Sequence, residues 1–592
     1  MHTPWTDALP LHRLPRGTAR VARLGAHPIA LFHLDDGTLS AIDNRCPHEG
    51  YPLVQGLVHG CTLTCAWHNY KFDLRDGACL KGEEAVRAYP VRVHGEMVQV
   101  QLVPTDPTAD RARHWRGLED ALFHGRSGQA LREAARLLLA GVSPAELLVH
   151  AAAWDGQRGE YGVTHALPVA ADLLPVCADL TDADAIVPLA IVYELLTDSH
   201  ARRPAQPAPD PVDPGPDPLT AGEVFRDHVE AEQLDAAEAL LRGALLRGWT
   251  REQLEPWLFT VCADHFLGFG HGLIYSTKAF DLVERAPERA PDLLGGLVRY
   301  LVNSTREDLL PAWSGWRGRM AALARPRPDA DASSATDLSG ATPAPHDGPP
   351  PSSTPASAPP DLTALRHALI DGPPKLAFDL LTEALHRGAA VSALCDALVL
   401  AAATRLLRFR VAIDPDPTVQ EGWLFVTHQL TFASAVREAL DRDPRPSTLR
   451  LLYQSLQFTT ASRALDGDPP ALPPAPPTAT SDDVLRALDR HDDATAIACT
   501  LTLHAQGELH NLRDALLRAV QRDPAELGLT VAHLLKTTRV AFVEAERTGD
   551  LTPVLGTLRL WAHPPKVRRV YQAAREAIDL VVHGQVPRTL LP

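Results

Sequence analysis

Positive charge is scarce in this 592-residue chain: 57 Lys and Arg stand against 73 Asp and Glu, a net charge of −16. That balance argues against nucleic acid or an anionic membrane as a main partner, and it suits solubility or docking to a basic redox partner. Long apolar runs are missing as well, none reaching the roughly 18 residues of a membrane-spanning helix. The opening MHTPWTDALPLHRLP lacks the charged-then-apolar order of a secretion signal. Eight scattered cysteines form no disulfide framework. The expected location is the cytoplasm, with no nucleic-acid or membrane partner. Proline, by contrast, is plentiful. There are 52 prolines, and they are concentrated in three segments, at about 203–218, 325–360 and 466–480. The middle segment has almost no large apolar residue and cannot bury a core, so 324–360 reads as a disordered linker.

The most informative residues lie early. Cys46-Pro-His48 is followed after sixteen residues by Cys65-Ala-Trp-His68. Each segment offers one thiolate and one imidazole. Two thiolates on one iron and two neutral imidazoles on the other suit a 2Fe–2S pair of mixed ligation. Imidazoles carry no negative charge, so such a centre is easier to reduce, at roughly −150 to +300 mV against about −400 mV for an all-cysteine plant-type ferredoxin. Zinc is the rival, but zinc sites usually keep paired Cys and paired His apart, and CxH spacing is uncommon in them.

The surrounding residues decide between the two. From Cys46 to Leu80, with Pro47, Gly50, Gly56, Gly60, Trp67, Phe72, Asp73 and Gly77, the segment resembles the cluster-binding loops of Rieske iron–sulfur proteins. The resemblance spans about residues 1–104. It implies a small all-β sandwich with one 2Fe–2S cluster near its tip, held by Cys46, His48, Cys65 and His68. It also implies single-electron transfer in an oxidoreductase, with a reductase or ferredoxin as electron donor. Alternating stretches at Ala19–Leu24, Ile29–Leu34, Leu39–Asp43, Val91–Val93 and Met97–Leu102 read as the strands. Departures from the family's variants are informative. Tyr51 and Trp67 stand where respiratory members carry a disulfide, so that bridge cannot form here. Tyr70 stands where they carry a cluster-bonding Ser, which points to a lower-potential, ferredoxin-like centre. Ala66 replaces the Pro and Asn69 the Gly of the oxygenase subgroup, and Asn tolerates positive φ better than most residues. Cys61 and Cys79 read as small packed residues.

Beyond residue 104 the pattern is helical and repeats. Four stretches each carry a histidine: Val163-Thr-His165, Phe269-Gly-His271, Val426-Thr-His428 and Val531-Ala-His533. Each is expected to open an amphipathic helix. Upstream lie Gly141, Gly248, Gly388 and Gly507, suited to helix C-caps, with Ala130, Ala237, Ala377 and Ala496 eleven residues before them. The distance from Gly to His is 24, 23, 40 and 26 residues, which places an insertion near 411–422. The fold class is therefore multidomain: the β domain, then a large all-α region of four related units at 112–202, 219–323, 361–465 and 481–592.

Thr164 and Thr427 are candidate N-caps, which would set His165 and His428 in first turns. If the units pack around a common axis, His165, His271, His428 and His533 could form a second site for a metal or haem. The alternative is that each histidine only caps or packs its helix. His271, Tyr275 and Lys278, at i, i+4 and i+7, are the catalytic candidates, with His265 nearby. Ring-hydroxylating oxygenases, which also begin with a Rieske domain, carry a D-x2-H-x4-H iron-binding stretch; this chain has none, and Asp264-His265…His271 has the wrong spacing. Two functions remain open. The chain is an oxidoreductase passing electrons from the cluster to a substrate or second cofactor in the helical region, or it is an electron carrier or redox sensor with a helical binding scaffold.

Overall fold

Among the described residues, short strands occupy the first hundred and helices predominate after them. The computed structural model describes residues 4–323 and 362–565, apart from 26, 49, 83, 104–105, 179, 181, 417–418, 420–421 and 522–527. The linker expected over 324–360 and the end of the fourth unit, 566–592, lie outside the described residues. The chain divides between residues 117 and 118 into two units.

The N-terminal unit holds β1 (Trp5–Pro10), β2 (Thr18–Leu24), β3 (His27–His33), β4 (Leu39–Asp43), β5 (Leu57–His59), β6 (Thr62–Thr64), β7 (Lys71–Asp73), β8 (Cys79–Lys81), β9 (Ala88–Tyr89), β10 (Val91–His94) and β11 (Met97–Gln101). They form three antiparallel sheets, ordered β1-β11-β10, β2-β3-β4-β9 and β5-β6-β7-β8. Strand periodicity explains how two cores share one sheet. Ile29 and Leu31 of β3 face a core with Leu14, Val98 and Val100, while Ala30 and Phe32 face another with Ile42, Leu53, Leu63 and Phe72. Cys46 and Cys65 are buried in that second core. The expected strands are present within one or two residues. The sheet β5–β8 was not anticipated, because three-residue strands are too short to show alternation.

The helices follow one order four times over. The first group is α1 (Pro107–His124), α2 (Ser127–Leu139), α3 (Pro144–Arg158), α4 (Ala166–Cys177) and α5 (Asp182–His200). The second is α6 (Pro218–Glu230), α7 (Leu234–Leu246), α8 (Arg251–Asp264), α9 (His271–Val283) and α10 (Ala290–Asn303), with α11 (Ser314–Leu323) added. Then come α12 (Thr363–Ile370), α13 (Pro374–His386), α14 (Val391–Arg408), α15 (Gly422–Arg442) and α16 (Arg450–Ala461). The last are α17 (Ser481–Asp489), α18 (Asp493–Ala505), α19 (Leu509–Val520), α20 (Gly528–Thr548) and α21 (Thr552–Ala562).

The second helix of every group has 13 residues and ends at a left-handed glycine, with φ of 84° at Gly141, 75° at Gly248, 75° at Gly388 and 77° at Gly507. In each, the amide after the glycine returns to a carbonyl five residues back, as from Val142 to Leu137, closing a Schellman cap. Ala130, Ala237, Ala377 and Ala496 are fully buried, where a small side chain lets helices approach.

The fourth helix of each group carries the histidine. α4 packs on α9, α9 on α15, α15 on α20, and α20 on α4, a closed circuit. One expectation is corrected here. His165 caps α4 and His271 opens α9, but His428 and His533 are the seventh and sixth residues of their helices. Nothing ahead of Thr427 breaks the apolar helical run from Trp423, so Thr427 Oγ1 donates to the Leu424 carbonyl instead of capping.

Phe72 is fully buried beneath both cysteine loops. Phe72→Ala is expected to destabilise the N-terminal unit by about 3–5 kcal/mol. Urea unfolding followed by loss of visible cluster absorbance measures this, and a midpoint equal to wild type contradicts the shared core.

Candidate cluster loops and a ring of four histidines

Two loops project from the sheets of the N-terminal unit with one hydrogen-bond plan. The Cys46 amide donates to the Tyr51 carbonyl and the Cys65 amide to the Tyr70 carbonyl. The Gly50 amide donates to the Cys46 carbonyl and the Asn69 amide to the Cys65 carbonyl. Both turns need positive φ, which Gly50 adopts at 76° and Asn69 at 59°. The asparagine thus preserves the turn that glycine usually makes. The cysteines are buried, while His48 is half-buried and His68 exposed.

The two histidine Nδ1 atoms lie 3.2 Å apart, the separation of two nitrogens bound to one metal at about 2.1 Å. With two buried sulfurs behind two converging imidazoles, the donor set fits a 2Fe–2S cluster. Tyr51 and Trp67 pack at 5.0 Å between ring centroids and tie the loops where a disulfide is absent. Tyr70 stacks on His48 at 4.7 Å and 12°. Cys61 and Cys79 pack at the edge of the same core.

In the helical unit the four repeated histidines meet. Ring centroids are 4.8 Å apart from His165 to His271, 4.6 Å from His271 to His428, 4.8 Å from His428 to His533, and 5.1 Å from His533 back to His165. The order around the ring is the order in the chain. His428 Nε2 lies 2.8 Å from His271 Nε2 and 3.2 Å from His533 Nε2. Burial, reinforced by the Lys536 ammonium, lowers all four imidazoles far below their ordinary range, His271 to about 3.

The path into His271 is tightly turned. Gly268, Phe269 and Gly270 are successive left-handed residues, and Phe269, at φ 61°, bears a side chain in that region. Such backbone costs of order 1–3 kcal/mol and collects at functional sites. Its ring is held by His428, Phe425 and Phe458.

The three catalytic candidates divide. Tyr275 is buried beside the ring, its hydroxyl 3.4 Å from His165 Nδ1. Lys278 is not in the ring. It lies 3.4 Å from Asp172 and 3.8 Å from Glu438, and although burial pulls its pKa down, these carboxylates outweigh that and raise it. His265 is also elsewhere, paired with Asp308 and Glu230.

Two residues escaped the sequence reading. Lys536 is buried with no hydrogen-bond partner for Nζ among the described residues, and burial brings its pKa to about 8. It lines a small cavity with Asp172, Lys278, Thr431 and Glu438. A lysine three residues after a repeated histidine, within an apolar helix, was the available signal. Asp155 is fully buried and accepts from the Thr164 amide at 2.7 Å, Thr164 Oγ1 at 2.8 Å and His200 Nε2 at 2.6 Å, which anchors the entrance to α4. Thr164 Oγ1 in turn accepts from the Ala166 amide.

Comparison with known proteins assigns the N-terminal part. Residues 4–98 match the Rieske [2Fe-2S] domain family. The 4beta-methylsterol monooxygenase of Methylococcus capsulatus is 36% identical over 104 residues, 16% of this chain and 27% of that protein. The ferredoxin component of the naphthalene 1,2-dioxygenase system of Pseudomonas aeruginosa is 28% identical over 104 residues, 17% of this chain and 99% of its own length. Thus the chain spans about a quarter of the monooxygenase and nearly all of the ferredoxin. Among solved structures, a putative NADH-dependent nitrite reductase small subunit from Mycobacterium tuberculosis has 30% identity and a TM-score of 0.17, covering 17% of this chain and 97% of that one. Among the described residues, no helix is long and apolar enough to cross a membrane.

The buried ring sets a pH dependence. A histidine neutral when folded takes up a proton on unfolding once the pH is below about 6.5, so its stabilising effect is full above that value and declines as pH falls. For His271 the decline is about 1.4 kcal/mol per pH unit, continuing towards its folded value of about 3. Thermal melts followed by helical circular dichroism are expected to shift down between about pH 7 and pH 5. A melting temperature constant over that interval contradicts neutral burial.

Proposed function

Because residues 4–98 form a Rieske 2Fe-2S domain, we propose that this chain is a one-electron oxidoreductase component whose helical region holds the electron acceptor. Cys46 and Cys65 hold one iron and His48 and His68 the other. A cluster so ligated supplies single electrons at a potential set by its two imidazoles. The chain's own residues bury the sulfur side, orient the imidazoles and leave His68 at the surface, where an electron can enter or leave. The expected donor is a reductase or ferredoxin, and the expected location the cytoplasm.

The observation that carries the acceptor reading is the closed ring of His165, His271, His428 and His533. A binding scaffold has no need of four converging imidazoles, two buried and two half-buried, beside an ammonium with no hydrogen-bond partner among the described residues. Each unsatisfied buried polar group costs about 1–3 kcal/mol, so the arrangement favours a redox role over the scaffold reading. Four units, at 112–202, 219–323, 361–465 and 481–592, supply one imidazole each, and their recurring helix order supports descent from one ancestral unit. Tyr275, in the second unit, is the residue placed to act beside the ring, whereas Lys278 serves an ion pair.

Anaerobic dithionite titration of the full chain tests the reading. More than one electron per chain is expected, the first by the cluster. Uptake of a single electron returns the helical region to a scaffold and the N-terminal domain to a carrier or sensor.

A further inference from the structure

We infer that the four histidines are a closed binding site for one first-row transition-metal ion, coordinated by Nε2 of His271, His428 and His533 and by a ring nitrogen of His165. The inference deepens the acceptor reading above, but metal binding is tested separately from electron transfer.

The argument begins with protons. His271 Nδ1 lies 2.7 Å from the Gly268 carbonyl, His428 Nδ1 2.5 Å from the Leu424 carbonyl, and His533 Nδ1 2.7 Å from the Leu529 carbonyl. A carbonyl only accepts, so in each ring Nδ1 carries the proton. A neutral imidazole has one such proton, and each Nε2 is left with a bare lone pair. Yet these three Nε2 atoms face one another at 2.8 and 3.2 Å. Lone pairs at that distance repel unless a proton or a metal ion lies between them. A shared proton can bridge only one of these two pairs and leaves the other facing lone pair to lone pair. A metal ion takes all three lone pairs at once.

The dimensions agree. Nitrogens at about 2.0–2.1 Å from one ion are about 2.9–3.4 Å apart for angles from square to tetrahedral. The two Nε2 separations at His428, 2.8 and 3.2 Å, lie close to that range, while the nitrogens of His165, His271 and His428, within 4.8 Å of one another, must draw closer to share one ion. His165 Nε2 is buried with no partner among the described residues. The Nδ1-to-carbonyl bonds are the outer contacts that fix imidazole ligands around metals and raise their basicity. The rings touch neighbour to neighbour and leave no slot for a porphyrin, which decides for an ion over haem.

The donor chemistry narrows the ion. Four imidazoles without carboxylate or thiolate suit iron, copper, nickel or zinc, and exclude magnesium and calcium. A neutral ligand set leaves the ion's charge uncompensated among apolar residues, which favours its lower oxidation state. Asp155, which accepts two hydrogen bonds from Thr164, the residue before His165, is a buried carboxyl group at the entrance to α4.

Metal analysis of the full-length chain is the test. One ion beyond the two cluster irons per chain is expected. His428→Ala and His533→Ala are each expected to lose that ion while keeping both cluster irons and the reduced-cluster EPR signal. Should a variant fail to fold, chelator-treated wild type titrated with Co(II) alone gives the answer: ligand-field absorbance saturating at one Co(II) per chain supports the site. Two irons and no Co(II) uptake overturn it, as does a third ion that both variants retain. An ion that is bound but stays oxidised when the cluster is reduced overturns the acceptor reading and leaves the metal site standing.

Discussion

A neutral imidazole owns a single proton, and in three of the four repeated histidines that proton is committed to a backbone carbonyl. Much of the helical region serves this constraint. The left-handed turn before His271 presents its Nδ1 to Gly268, and the helical carbonyls of Leu424 and Leu529 do the same for His428 and His533. The remaining nitrogens are left to converge on one another. Burial of this kind is costly for polar groups and rewarding for metal ligands, since a pre-oriented, neutral imidazole needs neither deprotonation nor reorganisation to bind.

The N-terminal domain solves a related problem by other means. Its two loops are near copies in hydrogen bonding, each folding a cysteine inward and a histidine outward. Their cross-tie is an aromatic contact between Tyr51 and Trp67, which does not depend on an oxidising compartment as a disulfide does. Tyr70 covers one face of His48, limiting water around an imidazole expected to carry iron. Both histidine sites therefore rest on hydrogen-bonded backbone, turns in the first and mainly helices in the second, which suits electron transfer because little rearranges when charge moves.

Legibility differed between the two parts for physical reasons. The CxH and CxxH loops are local, so a spacing of a few residues reveals them, and β3 and β11 betray themselves by alternation. The C-cap glycines were visible because only a left-handed residue ends a helix in that way, as the φ values at Gly141, Gly248, Gly388 and Gly507 bear out. Convergence of the four histidines was legible only as one of two alternatives, since it depends on how α4, α9, α15 and α20 close their circuit across more than 360 residues of chain. The helix starts before His428 and His533 were misplaced because Trp423-Leu-Phe and Leu529-Thr-Val are as apolar as the helix interior. Lys536 was overlooked because a lysine in a helix is usually solvated, and only packing shows that this one is not.

The central claim is that a metal ion sits among the four imidazoles. An anomalous-difference map from crystals of the full chain tests it directly. The account predicts density at the cluster loops and a separate peak about 2.0–2.1 Å from nitrogens of His165, His271, His428 and His533. A ring with no anomalous peak, its nitrogens bridged by water or by one another, would contradict it.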